Sequence, residues 1–361
     1  MIIIKKRGDT KNTQAHGELS LCLCGKKNRN TQNGSQKIVL GLLISYTKTI
    51  LRMDSPSIVV VGSTNTDMVI KASHLPQAGE TILGGTFFMS AGGKGANQAV
   101  AAARLGGSVT FIARTGYDIF GKQSMELFEK EGIDVSGIQR DHHQPSGVAL
   151  ITVDEKGENC IVVAPGANAA LTPGDIDEMK EKIENATLLL IQLETPIETV
   201  ERVANIASSK KIKFVLNPAP AAKLSDELLK KISIITPNQK EAEMLTGVKV
   251  NDQTSAKQAA EFLHKKGIDT VIITMGAMGA FVFHENKSSA IAGHKVNVVD
   301  TTAAGDVFNG ALVVALSEGK TMEDAAAFAC KAAAISVTRL GAQASAPDRE
   351  EVESLPAGGF D

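Results

Sequence analysis

The chain has 361 residues, enough for one large domain or two ordinary domains with a substantial core. A hydrophobic content of 43% and a charged content of 22% are typical of a soluble globular protein. Four scattered cysteines do not make a disulfide framework, which excludes a small disulfide-rich secreted module and favours a reducing, cytoplasmic location. They are Cys22, Cys24, Cys160 and Cys330.

The first 52 residues differ in charge from the rest of the chain. Ten basic and two acidic residues give this segment a net charge of +8, so the remainder carries −10. A mildly acidic body argues against nucleic acid as the main partner. The apolar stretch at 39–46 is too short for a membrane span, which needs about 20 apolar residues. We expect residues 1–52 to be a largely disordered basic extension or a mis-assigned start, with a transit peptide as an alternative.

From residue 57 onward, short β-branched runs alternate with helical segments. Apolar runs that predict strands buried on both faces lie at 58–61, 188–191, 214–216, 232–235 and 270–273. Helical stretches lie between them at 94–105, 120–131, 195–208, 226–231, 239–245 and 256–266. This alternation predicts a doubly wound α/β domain with a mostly parallel central sheet over residues 53–356, followed by a short tail at 357–361.

Two further regions contain strand-like runs with no helix between them. These runs lie at 68–71, 83–90, 147–153 and 159–163. The segment Asp154–Glu158 between the last two runs predicts a hairpin turn. We therefore expect a small antiparallel sheet, with strands from about residues 67–91 and 146–164, that projects from the α/β body. A lid of this kind would shield a reacting site from water.

The segment from Asp300 to Asp306 carries the strongest chemical signal. A β-like run ends at Asp300, and after a few small residues Asp306 opens an amphipathic run. Backbone N–H groups at this predicted helix N-terminus suit a phosphate, and they belong to Ala303, Ala304 and Gly305. A carboxylate beside such an anion cradle suits phosphoryl transfer to a hydroxyl group, because it accepts the proton. The alternative is an acid favoured near a helix N-terminus by the dipole alone.

A glycine-rich segment at 90–99 is the second signal. Its glycines, including Gly93, let the backbone approach a ligand, and Lys94 and Asn97 add donors suited to hydroxyl groups. It is not a phosphate-binding P-loop, because Gly95 follows the lysine where Ser or Thr belongs. A plain glycine-rich turn that starts a helix is the alternative.

Polar residues also follow several predicted strands. Asn65, Asp67 and Glu194 lie beyond strand ends, where they suit hydrogen bonding to a polyol or form ordinary turns. Asn238 and Glu241 share one helix face and suit phosphate or the water shell of Mg²⁺, unless they simply cap the helix.

A loop after the last of these strands is a weaker candidate for a nucleotide pocket. It contains Thr274, Gly276 and Gly279 and is only a fragment of a glycine fingerprint. The histidines have no ligand spacing, so we interpret them as surface or structural residues.

Residues 92–97 and 300–306 together resemble the two signature segments of the ribokinase-like, phosphofructokinase-B-type carbohydrate kinases. The resemblance runs from about residue 57 to residue 356. It implies an ATP-dependent kinase that phosphorylates D-ribose at O5. The alternatives are a kinase for deoxyribose, fructose or a nucleoside, and a non-catalytic sugar-sensing homologue. Exposed lid edges also favour a homodimer.

The resemblance further implies a role for each candidate residue. Asp306 corresponds to the catalytic base, and the backbone of Ala303, Ala304 and Gly305 to the anion hole. The sugar-binding positions are Asn65, Asp67, Gly93, Lys94, Asn97, Glu194 and Asp306. The ATP-binding positions are Asn238, Thr274, Gly276, Gly279, Gly305 and Cys330, with Glu241 acting on Mg²⁺ indirectly. A K⁺ site, mostly of backbone oxygens, takes Asp300, Thr302, Ser336, Arg339, Gly341 and Ser345.

Overall fold

The computed structural model describes residues 56–356, so the expectations for residues 1–52 and 357–361 lie outside the described residues. The strands are β1 (Ser57–Val61), β2 (Asn65–Lys71), β3 (Thr86–Gly92), β4 (Ser108–Gly116), β5 (Asp134–Asp141), β6 (Gly147–Val153), β7 (Asn159–Ala164), β8 (Leu188–Ile191), β9 (Lys213–Leu216), β10 (Ile234–Ile235), β11 (Thr270–Thr274), β12 (Ala280–His284) and β13 (Lys287–Ile291). The α-helices are α1 (Lys94–Arg104), α2 (Ile119–Lys130), α3 (Pro173–Glu178), α4 (Lys180–Glu184), α5 (Ile197–Lys210), α6 (Asp226–Leu229), α7 (Gln239–Thr246), α8 (Gln253–Lys265), α9 (Ala304–Ser317), α10 (Met322–Ser336) and α11 (Arg349–Ser354).

Nine strands form the central sheet in the order β13-β12-β11-β10-β9-β8-β1-β4-β5. The strands from β11 to β5 are parallel, and β12 and β13 add an antiparallel hairpin at one edge. Helices cover both faces of the sheet, so a hydrophobic core lies on each side. Ile58 and Val60 of β1 belong to one core, and Val59 and Val61 belong to the other. The predicted doubly wound, mostly parallel sheet is confirmed.

The strands that the sequence patterns missed lie away from continuous apolar runs. β4 interleaves Thr110, Arg114 and Thr115 with apolar residues, and β5 is a largely polar edge strand. The β-like run before Asp300 is not a strand. There the Val299 N–H donates to the Val337 carbonyl at 2.7 Å, so the segment is held by the end of α10 instead.

Four strands form the separate lid sheet in the order β3-β2-β6-β7. Its outer pairs are antiparallel as expected, but the central β2–β6 pair is parallel, because the chain runs through β4 and β5 before it returns as β6. The strand expected at 83–90 spans Thr86–Gly92 instead. The predicted hairpin is present, with the Asp154 N–H donating to the Glu158 carbonyl at 2.9 Å.

Across residues 56–356, each helix is too short or too polar to cross a bilayer.

Candidate active site

The first group of candidate residues lies where β1 and β8 end. Glu194 Oε2 accepts hydrogen bonds from Ser63 Oγ at 2.5 Å and from the Lys94 backbone N–H at 3.0 Å. Asn65 Oδ1 accepts from Asn168 Nδ2 at 2.8 Å. Two of the expected sugar-binding side chains, Glu194 and Asn65, are therefore held by neighbours before any ligand arrives.

Gly93 permits the close approach of α1 to the end of β1. Its φ is +88°, and an added Cβ would lie 2.8 Å from both Thr64 Cα and Asn65 N. A side chain there is excluded by both the backbone conformation and the space. The glycine-rich segment therefore forms a turn that starts a helix, which was the alternative to ligand binding. It also brings Lys94 beside Glu194.

Asp306 is 6% exposed and lies in the first turn of α9, as expected. Asn97 Nδ2 donates to its Oδ2 at 2.9 Å, and Gln98 Nε2 donates to its Oδ1 at 2.9 Å. Burial raises the pKa of Asp306, while Lys94 and the two amides oppose that rise. Asn97 Oδ1 is buried without a hydrogen-bond partner among residues 56–356.

Lys94 is the positive centre of a group of carboxylates. Burial lowers the pKa of its ammonium, but Asp306, Glu194, Glu241 and Asp67 together outweigh burial and raise it. Burial, followed by the charge of Glu194, raises the pKa of Asp67 to about 6. Desolvated carboxylates around one cation are a typical environment for binding and deprotonating hydroxyl groups.

The N-terminus of α9 leaves room for an anion. Ala303 precedes the helix with a φ of +59° and provides no side-chain cap. An added Cβ on Gly305 would meet nothing within 4 Å, so the space beside the first turn is open. The Ala304 N–H at the start of this 14-residue helix already donates to the Thr301 carbonyl at 3.3 Å, while the space beside Gly305, next to Asp306, stays open.

Asn238 and Glu241 form a capping box at the start of α7. The Asn238 N–H donates to Glu241 Oε2 at 2.8 Å, and the Glu241 N–H donates to Asn238 Oδ1 at 2.9 Å. Asn238 and Glu241 therefore cap the helix, which was the alternative to phosphate or Mg²⁺ binding. Burial also raises the pKa of Glu241, and the negative charge of Glu241 raises the pKa of Lys94.

The remaining nucleotide candidates are spread over neighbouring elements. Thr274 ends β11 and bridges to Asn238, while Gly276 and Gly279 bound a short 3-10 turn before β12. Cys330 is buried on α10, which packs against β12 and β13, and burial raises the pKa of its thiol to about 12.

The candidate cation residues lie on two adjoining loops. Asp300 Oδ1 accepts from the Thr302 N–H at 2.9 Å, and Asp300 Oδ2 accepts from the Gly341 N–H at 2.9 Å. Burial favours a raised Asp300 pKa, but these bonds and the Thr302 hydroxyl lower it overall. Ser336 ends α10, and its carbonyl accepts from the Arg339 N–H at 3.1 Å.

Two cation candidates use their side chains elsewhere. The Arg339 guanidinium pairs with Glu351, and Ser345 Oγ donates to the Ala342 carbonyl at 2.8 Å. Arg339 and Ser345 would therefore bind an ion through their backbone oxygens.

A cavity of about 1300 Å³ separates the inner face of the lid from the loops at 298–302 and 340–344. Asp67, Asp300, Thr302 and Gly341 line it. The space is large enough for a small ligand and is bounded by candidate residues from both the sugar and the cation groups.

Sequence reasoning missed the residues that hold these groups in place, namely Ser63, Gln98 and Asn168. Gln98 directly follows Asn97 and is fully buried on α1. A glutamine on the apolar face of a helix is the signal that would have revealed it.

Similarity to known proteins agrees with this geometry. Residues 55–349 match the model of the pfkB family carbohydrate kinases. A ribokinase of Haemophilus influenzae is 50% identical over 295 residues, which are 82% of this chain and 96% of the relative. A ribokinase structure from Thermotoga maritima is 41% identical with a TM-score of 0.77, covering 83% of this chain and 98% of that one. A structure of Arabidopsis thaliana ribokinase complexed with ribose and ATP is 34% identical with a TM-score of 0.79, again covering 83% and 98%.

The fold and the family match together define an ATP-dependent phosphotransferase. The chain belongs to the pfkB family of carbohydrate kinases, and the relatives described above are ribokinases. The resemblance inferred from residues 92–97 and 300–306 is confirmed.

Proposed function

We propose that the protein transfers the γ-phosphoryl group of ATP to O5 of D-ribose. The observation that carries the proposal is the buried Asp306 carboxylate, fixed by two amides beside the open N-terminus of α9. The high identity to ribokinases and the similarity to a structure complexed with ribose and ATP support ribose as the sugar.

In the proposed reaction the sugar lies between the lid and the α/β body. Asn65, Asp67, Gly93, Lys94, Asn97 and Glu194 bind its hydroxyl groups. The O5 oxygen attacks the γ-phosphorus as the bond to the leaving ADP oxygen breaks, and the O5 proton passes to Asp306. The backbone N–H groups of Ala303, Ala304 and Gly305 stabilise the negative charge on the transferring group.

The nucleotide would lie along the loop after β11. Asn238, Thr274, Gly276, Gly279, Gly305 and Cys330 form the proposed ATP site. Mg²⁺ fits beside Glu241, because this ion accepts one carboxylate together with phosphates and waters, and it neutralises phosphate charge when bound. Glu241 would act on it through a water molecule.

A monovalent cation, K⁺, is proposed for the loops that carry Asp300, Thr302, Ser336, Arg339, Gly341 and Ser345. A carboxylate whose pKa is lowered and several backbone carbonyl groups make a donor set that suits a hard cation. The ion would fix the loop that leads into α9 rather than contact the sugar.

Replacing Asp306 with asparagine tests the proposal. Asp306→Asn keeps the size of the side chain, so we expect ATP and ribose to bind while kcat falls by roughly 10²–10⁴, the range for loss of a general base. Asp324→Asn is a matched control, because Asp324 is an exposed acid in the first turn of α10, and its kcat should stay unchanged. Near wild-type turnover by Asp306→Asn would remove that residue from the reaction.

The identity of the sugar needs a separate assay. Turnover of ribose, 2-deoxyribose, fructose and adenosine should be compared at saturating ATP, with ribose expected to have the highest kcat/KM. A site that hydrogen-bonds each hydroxyl rejects a sugar lacking one, because buried polar groups then lose their partner. If deoxyribose or adenosine gave the highest value, the proposed substrate would be wrong.

A further inference from the structure

A network of buried amide side chains lies behind Asp306 and is not used by the proposed reaction. Gln192, Asn217 and Thr236 are the first residues beyond β8, β9 and β10, and all three are buried. Neighbouring parallel strands end at the same edge of a sheet, so these polar groups converge beneath α1 and α9.

Gln98 of α1 connects this edge to Asp306. Its Nε2 donates to Asp306 Oδ1 at 2.9 Å and to Asn217 Oδ1 at 3.0 Å. Its Oε1 accepts from Gln192 Nε2 at 2.6 Å. These bonds use both N–H donors of the amide and fix which way it faces, since a flipped amide would turn its oxygen toward the Asp306 carboxylate.

The same network returns to the first turn of α9. Asn217 Nδ2 donates to the Thr236 carbonyl at 3.2 Å, and Thr236 Oγ1 donates to Asn309 Oδ1 at 2.6 Å. Asn309 Nδ2 then donates to the Gly305 carbonyl at 2.8 Å. The side chain of the proposed base and the backbone of the proposed anion hole are thus tied to one set of strand ends.

We propose that Gln98 is a positioning residue for phosphoryl transfer, which orients the Asp306 carboxylate and stabilises its ionised form. This rests on the proposed role of Asp306 as the base. An amide that donates to a carboxylate oxygen favours the charged state and restricts rotation of the carboxyl group. Because Asn97 donates to the other oxygen, each carboxylate oxygen of Asp306 is held by one amide.

The charged groups around Asp306 set the direction of the expected pH effect. Lys94 of α1 favours its ionised form, whereas Glu194 after β8, Asp67 of β2 and Glu241 of α7 oppose it. Removing the Gln98 amide leaves these charges unchanged and takes away one favourable bond. The pKa of Asp306 should therefore rise.

The test compares Gln98→Met with the wild-type protein. Methionine keeps the length of the side chain and removes all three bonds. We expect kcat near neutral pH to fall about tenfold, the factor associated with one hydrogen bond to a charged group. The acidic limb of the kcat profile should move to higher pH, while KM for ribose and ATP stays within about twofold. Unchanged kcat and an unchanged acidic limb in the folded variant would overturn the proposal.

A matched control separates positioning from general destabilisation. Thr199 is also fully buried and donates to the Leu171 carbonyl at 2.6 Å, away from the site. Thr199→Val should lower Tm without moving the acidic limb. If Gln98→Met fails to fold, Gln192→Met can replace it, because this change removes only the bond to Gln98 Oε1. The acidic limb should then move in the same direction by a smaller amount. An unchanged acidic limb in Gln192→Met would also count against positioning.

A double variant distinguishes this proposal from the proposed function. In the Asp306→Asn background, Gln98→Met should cause no further loss of kcat, because its effect passes through the missing carboxylate. A persistent tenfold loss would show that Gln98 acts by another route. If Asp306→Asn alone keeps near wild-type turnover, the proposed role of Asp306 as the base fails, whatever Gln98 does.

Discussion

Asp67 lowers the stability of the folded protein at neutral pH and is suited to binding a sugar. It lies on β2 with Glu194, Lys94 and Asp306 among its charged neighbours, and burial and the Glu194 charge raise the pKa of Asp67 to about 6. Above that pH the folded protein holds an unfavourable, half-buried negative charge. A polyol that hydrogen-bonds this carboxylate would recover part of that cost, which explains why such a residue is suited to a sugar site.

This charge predicts a pH-dependent gain in stability for Asp67→Asn. Because the folded pKa is above the ordinary value of 3.8, the protonated form stabilises the fold below about pH 4, and this contribution is lost as pH rises through about 6. Asparagine mimics the neutral form, so Tm should rise by roughly 1–2 °C at pH 7.5, the shift that about 1 kcal/mol gives a domain of this size. The gain should vanish below pH 4.

Thermal unfolding across this pH range measures the effect. The exposed Asp269→Asn variant serves as the control and should leave Tm unchanged at every pH. A gain for Asp67→Asn that is equally large at pH 4 and at pH 7.5 would contradict a charge effect. The same variant should raise KM for ribose.

At the scale of elements, continuous apolar runs identified the strands of the sheet interior because burial on both faces leaves no alternation. The same rule could not find β5, whose polar residues occupy a sheet edge. It also could not find the parallel β2–β6 pair, because three strands, β3 to β5, lie between its two members in the chain. Gln98 is similar, since its role depends on two strand ends and the start of α9, which meet only in the folded protein.

The loop before α9 links the proposed cation site to the proposed anion hole. Asp300 joins it to Gly341 on the neighbouring loop, and three residues later Ala303 adopts a φ of +59°. Such a conformation costs an alanine about 1–2 kcal/mol, so the surrounding contacts must hold it in place. An ion bound by both loops would supply part of that restraint.

Exchange of the monovalent cation tests this coupling. Replacing K⁺ with Na⁺ should lower kcat, because the smaller ion draws carbonyl oxygens inward and shifts the start of α9. Assays at matched ionic strength measure the ratio of the two rates. The Asp300→Asn variant should be slower and nearly indifferent to which ion is present. Equal wild-type rates in both salts would argue against a cation site here.

At the scale of the whole molecule, the lid has two faces with different environments. Asp67, Val69 and Ile151 of its strands line the cavity. The alternate side chains point the other way, and apolar ones with more than two-fifths of their surface exposed are Ile70, Phe87, Met89, Leu150 and Val162. An exposed apolar face of this kind on a sheet with open edges is typical of a subunit interface.

We therefore expect a homodimer formed through the outer face of the lid. Leu150 and Val162 are cross-strand partners at 54% and 62% exposure, so Leu150→Lys with Val162→Lys would place two charges in that interface. Light scattering should report a mass near the 38.0 kDa of one chain for this variant and twice that for the wild type. Met244→Lys, at a position on α7 that is 71% exposed, should remain dimeric. Because both faces share one backbone, a lid freed from its partner should also hold the sugar less firmly, raising KM for ribose more than it lowers kcat. A monomeric wild-type protein, or a variant that stays dimeric, would contradict this interface.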